Sequence, residues 1–227
     1  MHRHFEGELE QLKERMLYMA SLAEKAVRLS LESLGTRDES KAIEVIVKIE
    51  PQINDLHLEV DDRALRLLAL QQPMAVDLRF ITSAIKINSD LERMGDQAVN
   101  IAQRAMSLMN QPELKPLVDI PRMAEIVEKM VKDALDAFVR RDTDLARDVV
   151  LRDDEADQYR DSIFRELIAH MIRNPRAIQP ALDLILVSRN LERIADHATN
   201  IAEDVVYMVL GRDIRHHLEQ RISATNE

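Results

Sequence analysis

The chemistry-bearing residues of this chain fall into two oxygen-rich stripes. Glu92, Asp96 and Asn100 are spaced by four, and so are Glu192, Asp196 and Asn200. Residues four apart stand one above another on a helix, so each stripe is a ladder of oxygen donors. Like charges at that spacing repel, and a surface built for stability alone would place Lys or Arg there. Oxygen-only donors suit a hard or borderline cation. Asn88 extends the first stripe backwards and Asp204 extends the second forwards. Asp157 and Asp161 have the same spacing on the preceding helix. The first half offers Asn54, His57 and Asp61 in the corresponding helix, with His57 and Asp61 again four apart. Arg93 and Arg193 flank the stripes, as charge partners or as groups that attract phosphate oxygens. The competing reading of both stripes is an ordinary solvated helix exterior.

These residues lie on helices. Apolar residues recur at three and four along Leu9, Leu12, Met16, Met19, Ala23 and Ala26, and again along Ile53, Leu56, Val60, Ala64 and Leu67. A third stripe runs from Phe80 through Ile87, Leu91, Met94, Ala98 and Ile101 to Leu108. The pattern then restarts at Met123, at Ala156 and at Leu184. With Leu91 at 0°, the apolar seam centres near about −30°, and Glu92, Asp96 and Asn100 fall near about +100°, +140° and +180°, away from it. Gly35 and Gly211 read as helix stops, Asp38 and Asp142 as N-caps, and Pro51 as a break or kink. Gln72-Pro73, the segment with Pro112, Pro116 and Pro121, and Asn174-Pro175 separate the helices.

The two halves repeat one another. Residues 91–102 and 191–202 are identical at eight of twelve positions, at an offset of 100, and the preceding helices align at an offset near 103. The expectation is an all-α fold of two tandem three-helix bundles, six long antiparallel helices related by internal duplication. The bundles would occupy residues 1–110 and 122–211, joined by a linker at 111–121 and followed by a polar tail at 212–227.

Composition narrows the function. The 227 residues include 41 Asp+Glu against 31 Lys+Arg, a net charge of −10 that disfavours general nucleic-acid binding. Four glycines and no phosphate-loop pattern leave Rossmann and P-loop chemistry unsupported, and zero cysteines remove disulfides, Cys-ligated zinc and thiol nucleophiles. No Glu precedes a His by three residues, which disfavours a di-iron oxidase, and His-Glu-x-x-His is absent. Ser30 and Ser188 lack nucleophile-elbow glycines. His197 turns about 100° from Asp196 and is a minor candidate ligand, while His216-His217 reads as a polar terminus. The 11 methionines read as core filler. No signal peptide and no membrane span is expected, so the expected location is cytoplasmic.

The doubled motif Leu-Glu-Arg-hydrophobic-small-Asp-x-Ala-x-Asn-Ile-Ala at Leu91 and Leu191 resembles the PhoU family. So do Gln72-Pro73-Met74-Ala75-Val76-Asp77-Leu78-Arg79 and Asn200-Ile201-Ala202-Glu203-Asp204-Val205. The resemblance runs from about Leu9 to Gly211. It implies a cytoplasmic, non-enzymatic regulator of phosphate uptake and phosphate-starvation gene expression. Such a regulator acts as an adaptor between the ATPase subunit of a phosphate ABC transporter and a membrane sensor histidine kinase. It also implies surface metal binding through Glu92–Asp96, Glu192–Asp196 and Asp157–Asp161, with His57 in the first acidic place before Asp61. The metal would be iron, zinc or another transition ion, or Mg/Mn. A homodimer is expected because long helices with apolar edges pair. The alternative is a carboxylate-rich metal enzyme or metal-storage protein.

Overall fold

The computed structural model describes residues 2–71, 73–114 and 119–214. Gln72, part of the linker and the tail from residue 215 onward, with His216-His217, lie outside the described residues. Helices α1 (His2–Thr36), α2 (Glu39–Glu44), α3 (Glu50–Gln71) and α4 (Ala75–Met109) form the first unit. Helices α5 (Asp119–Arg140), α6 (Thr143–Leu151), α7 (Asp153–Arg173) and α8 (Ile178–Leu210) form the second. A π-helical turn, Val45–Ile49, joins α2 to α3 into one rod, and Arg152 alone separates α6 from α7. Six long rods therefore make an all-α structure with three rods per unit. No helix among the described residues is long and apolar enough to cross a membrane.

Local chemistry explains most of the boundaries. Asp38 caps α2 by accepting from the Ser40 N–H at 3.0 Å. Asp142 caps α6 by accepting from the N–H groups of Asp144 and Leu145. Gly211 ends α8 at φ 67°, with its N–H bonded to the Tyr207 carbonyl. Gly35, by contrast, is inside α1; the left-handed residue that stops the helix is Arg37, at φ 54°. Its guanidinium donates to the carbonyls of Leu108, Met109 and Gln111, satisfying the end of α4. Arg141, at φ 56°, plays the left-handed part after α5.

Pro51 does not break its helix. The Glu50 N–H reaches back five residues to the Val45 carbonyl, and this wider turn takes up the ring one residue later. The repeat places Arg152 opposite Ile49, so the second unit has its own irregular turn at the matching place without a proline. The matching interruption therefore does not depend on the proline.

The two tandem three-helix bundles share one core. The most extensive helix–helix contact in the molecule is between α4 and α8, from different units, and α1 also meets α5. Leu91, Met94, Ala98, Ile101 and their repeats Leu191, Ile194, Ala198 and Ile201 are fully buried in one continuous apolar cluster. Polar side chains cross the α4–α8 contact. Asp90 Oδ1 accepts from His197 Nδ1 at 2.8 Å and from Asn200 Nδ2 at 3.2 Å. Lys86 Nζ meets Asp204 Oδ1 at 3.1 Å. Asp183, 1% exposed, is held by Arg104 at 3.3 Å and Ser107 at 2.9 Å.

The repeat also diverges in size at one crossing. A Cβ added at Gly95 would sit 3.1 Å from Ile53 Cδ1. The second unit has Ala195 and Ala156 at those places, one methyl gained on α8 against a larger side chain lost on α7. Two measurements follow. Ile53→Ala should cost about 3 kcal/mol in urea unfolding, and adding Gly95→Ala should return about 1–2 kcal/mol by filling space and improving helix propensity. Arg104→Met should cost about 2 kcal/mol by stranding the buried Asp183. Arg140→Met, which loosens only a surface pair with Asp136, should cost less than about 0.5 kcal/mol.

Candidate metal and partner surface

With α4 and α8 buried on their own-unit side and against each other, one face of each helix remains free. Glu92 and Asp96 stand on that face of α4, half-buried and exposed respectively, as do Glu192 and Asp196 on α8. The repeat is thus accurate to the level of solvent exposure. Asn100 and Asn200 are exposed too, but Asn200 is drawn toward α4 by Asp90 and leaves the carboxylate ladder. Asp204 is also removed from it, since Asp204 is 5% exposed and paired with Lys86 between the units. On a 100° wheel it falls near about −140° from Leu191, on the inter-unit side. Asn88 is fully buried and donates to the His57 carbonyl and to Asp61 Oδ1 at 2.9 Å. His197, bonded to Asp90, is a cross-unit contact.

The second unit concentrates the charge. Arg160 on α7 reaches Glu192 Oε1 at 2.6 Å, Asp157 Oδ1 at 3.1 Å and Asp161 Oδ1 at 3.0 Å. Asp153, one turn before Asp157, accepts from Thr199 Oγ1 at 3.1 Å. Burial, then the charges of Glu192, Asp153 and Asp157, push the Asp196 carboxyl up to about 6, against the pull of His197. Burial likewise raises Asp153, opposed by the Thr199 hydrogen bond and reinforced by Asp157, Asp154 and Glu192. Asp153, Asp157, Glu192 and Asp196 are therefore one electrostatic group. Asp161 is turned to Arg160 at its edge.

In the first unit, His57 Nε2 lies 3.7 Å from Asp61 Oδ2. The buried face of α3 aligns Ile53 with Ala156 and Val60 with Ile163, so His57 corresponds to Arg160 and not to an acid. Asp157 corresponds to Asn54, and Asp153 to Glu50, which accepts from Asn54 Nδ2 at 2.6 Å. Glu50 and Asp153 are the residues that the reading of the sequence missed. Their signal was present, since Glu50–Asn54 and Asp153–Asp157 repeat the spacing of Glu92–Asp96 and Glu192–Asp196. Arg93 and Arg193 are both exposed beside the carboxylates.

The donors fit a cation by chemistry and by charge, because four mutually repelling carboxylates gain from a positive partner. Among the described residues, no three His, Asp or Glu side chains converge closely enough to hold an ion. In the second unit the guanidinium of Arg160 supplies the positive charge instead.

Asp196 gives a pH signature. Its folded-state value of about 6 lies above the ordinary 3.8, so the folded chain holds this proton more tightly than the unfolded chain does. The associated stability is present in acid and is lost as pH rises through about 4 to 6. Asp196→Asn should therefore be more stable than the parent at pH 8. The gain should be about 1 kcal/mol, reduced by solvent screening from the roughly 3 kcal/mol of the full shift. It should shrink toward zero near pH 4 in paired denaturant titrations.

The comparisons with known proteins agree with this architecture. The PhoU domain matches twice, at residues 16–105 and 120–205. The chain is 42% identical over 213 residues to the phosphate-specific transport system accessory protein PhoU homolog of Pseudomonas aeruginosa, covering 93% of this chain and 88% of that one. It is 43% identical over 215 residues to the homolog of Aquifex aeolicus, covering 94% and 97%. The crystal structure of PhoU from Pseudomonas aeruginosa matches with a TM-score of 0.89 at 42% identity, over 92% of this chain and all of that one. The phosphate transport system regulatory protein PhoU from Streptococcus pneumoniae matches with a TM-score of 0.83 at 30% identity, over 92% and 99%. By its doubled domain, its sequence and its fold, this chain belongs to the PhoU family.

Proposed function

We propose that this chain is a regulatory accessory protein of phosphate uptake. It acts without chemistry of its own, as an adaptor between the ATPase subunit of a phosphate ABC transporter and a phosphate-sensing histidine kinase. The observation that carries this reading is the doubled domain, shared over nearly the whole chain with relatives named as accessory proteins of phosphate-specific transport. The surface adds support. The two units keep the same carboxylate pair on their free faces, and folding alone does not require identity at exposed positions.

The same faces bind metal in this proposal. Asp153, Asp157, Glu192 and Asp196 would hold the ion of the second unit, and Glu50, Asn54, Glu92 and Asp96 that of the first. A bound iron, zinc, manganese or magnesium ion supplies positive charge that neutralises the carboxylate cluster. Arg160 competes for the same oxygens, so occupancy in the second unit depends on its moving aside. The first unit has His57 at that place, paired more loosely with Asp61.

Deleting the gene should raise alkaline-phosphatase expression in phosphate-rich medium by about tenfold or more, an order expected when a repressing coupling of 1–3 kcal/mol is lost. Unchanged expression together with unchanged phosphate uptake would overturn the adaptor reading. For the metal, protein purified without chelator should carry a transition ion by elemental analysis. Glu192→Ala with Asp196→Ala should lose the equivalent bound at the second unit. Metal-free parent protein, or variants with undiminished content, would sink the metal assignment, and turnover of a bound metal would favour an enzyme.

A further inference from the structure

The second unit exposes an apolar surface along α7 and α8. Phe164, Ile168 and Ile172 are 49%, 36% and 77% exposed on α7, and Ile178 and Leu182 are 44% and 42% exposed on α8. Phe164 and Ile168 are four apart, as are Ile168 and Ile172, and Ile178 and Leu182, so each set forms a stripe. At about 100° per residue each stripe falls on the side of its helix that carries Asp157–Asp161 or Glu192–Asp196, which directs both toward the outer groove between α7 and α8. Scattered exposed apolar residues are ordinary, whereas a contiguous run across two helices marks a contact surface.

Past Phe164 the groove opens into a cavity of about 540 Å³, lined among others by Phe164, Ile185, Arg189 and Arg193. Among the described residues, neither Arg189 nor Arg193 has an ion-pair or hydrogen-bond partner, in contrast to the fully engaged Arg160. In the first unit the places of Phe164, Leu182 and Arg189 are taken by Asp61, Thr82 and Ser89. Leu65 and Leu78, both exposed, hold the places of Ile168 and Ile178, so the second unit is distinguished by Phe164, Leu182 and Arg189.

Resting on the adaptor reading, we infer that this groove is the docking site for an amphipathic helix of a partner protein. The helix carries apolar residues spaced three and four apart and, beyond them, a carboxylate that pairs with Arg189 and Arg193. The concave channel between two helices has the shape of a helix-in-groove site. From Ile178 to Arg193 it runs about 22 Å, which matches about four turns of helix. The free arginines set the sign of the partner's charge, and a desolvated guanidinium–carboxylate pair at the end of an apolar stripe fixes register. A lipid surface fits less well, because Asp161, Glu192 and Asp196 line the same cavity and the chain carries a net charge of −10.

The test uses the full chain in cells grown in phosphate-rich medium. A photo-crosslinking amino acid is placed at Ile168 and, as control, at Leu65, its repeat equivalent, which is 60% exposed. Crosslinked peptides are sequenced. The probe at Ile168 should capture one segment of another protein with the stated spacing and an Asp or Glu, and the probe at Leu65 should not capture it. Arg189→Glu with Arg193→Glu should lower the yield at least tenfold. Changing the captured acid to Lys should restore it. Capture of lipid, of a second copy of this chain or of no defined segment would overturn the inference, as would a yield indifferent to charge reversal. Phosphate repression is read in parallel. Repression that is lost on deletion but intact in the groove variants rejects the docking site and leaves the adaptor reading standing. Repression indifferent to deletion rejects the adaptor reading itself.

Discussion

The packing of α4 against α8 is the constraint on which the rest depends. Each of these helices already buries a seam inside its own unit, and here each buries a second face against the other. Polar groups caught in that contact lose their water and must find partners, or each costs about 1–3 kcal/mol. Asp90 is satisfied by His197 and Asn200, Asp204 is reached by Lys86, and Asp183 by Arg104 and Ser107. Such pairs add little net stability compared with apolar packing, but a slipped register would strand several charges at once. With two faces committed, one strip of each helix remains for function, and the carboxylates occupy it.

Duplication shows which features belong to the fold and which to the role. Both units stop their first helix with a left-handed arginine, both interrupt their second rod at a matching point, and both keep Leu-Glu-Arg followed by Asp and Asn-Ile-Ala. The interruption occurs with proline in one unit and without it in the other, so the proline is not its cause. Differences gather on the outer rods. Arg160 faces the second carboxylate group where His57 stands in the first, and Phe164 replaces Asp61. Two equivalent scaffolds thereby offer two unlike surfaces.

The placement of the candidate carboxylates was legible in the sequence: spacing, repetition and angle away from the seam put Glu92–Asp96 and Glu192–Asp196 on the free faces of α4 and α8. Spacing alone does not single out Asp153 and Glu50, because Asp157–Asp161 and His57–Asp61 offer the same spacing of four farther along the same helices; the contact of Asp153 with Thr199 on α8 decides it for the second unit. His57 was aligned with an acid because it precedes Asp61 by four, yet the buried residues Ile53 and Val60 set the register and put it opposite Arg160.

What the sequence by itself determined is local and periodic: six amphipathic rods, their caps at Asp38, Asp142 and Gly211, an internal duplication, and a ladder of carboxylates on the side away from each seam. Only the tertiary structure decided which polar residues are surface. Asn88 and Asp204 extend the polar stripes by spacing, yet both are buried, and Gly35 read as a stop but lies within α1. The reason is physical. Helical periodicity gives the angle at which a side chain leaves its axis, but burial depends on whether another helix lies in that direction, and that neighbour is remote in the chain: His57 and Asp61 for Asn88, Lys86 for Asp204.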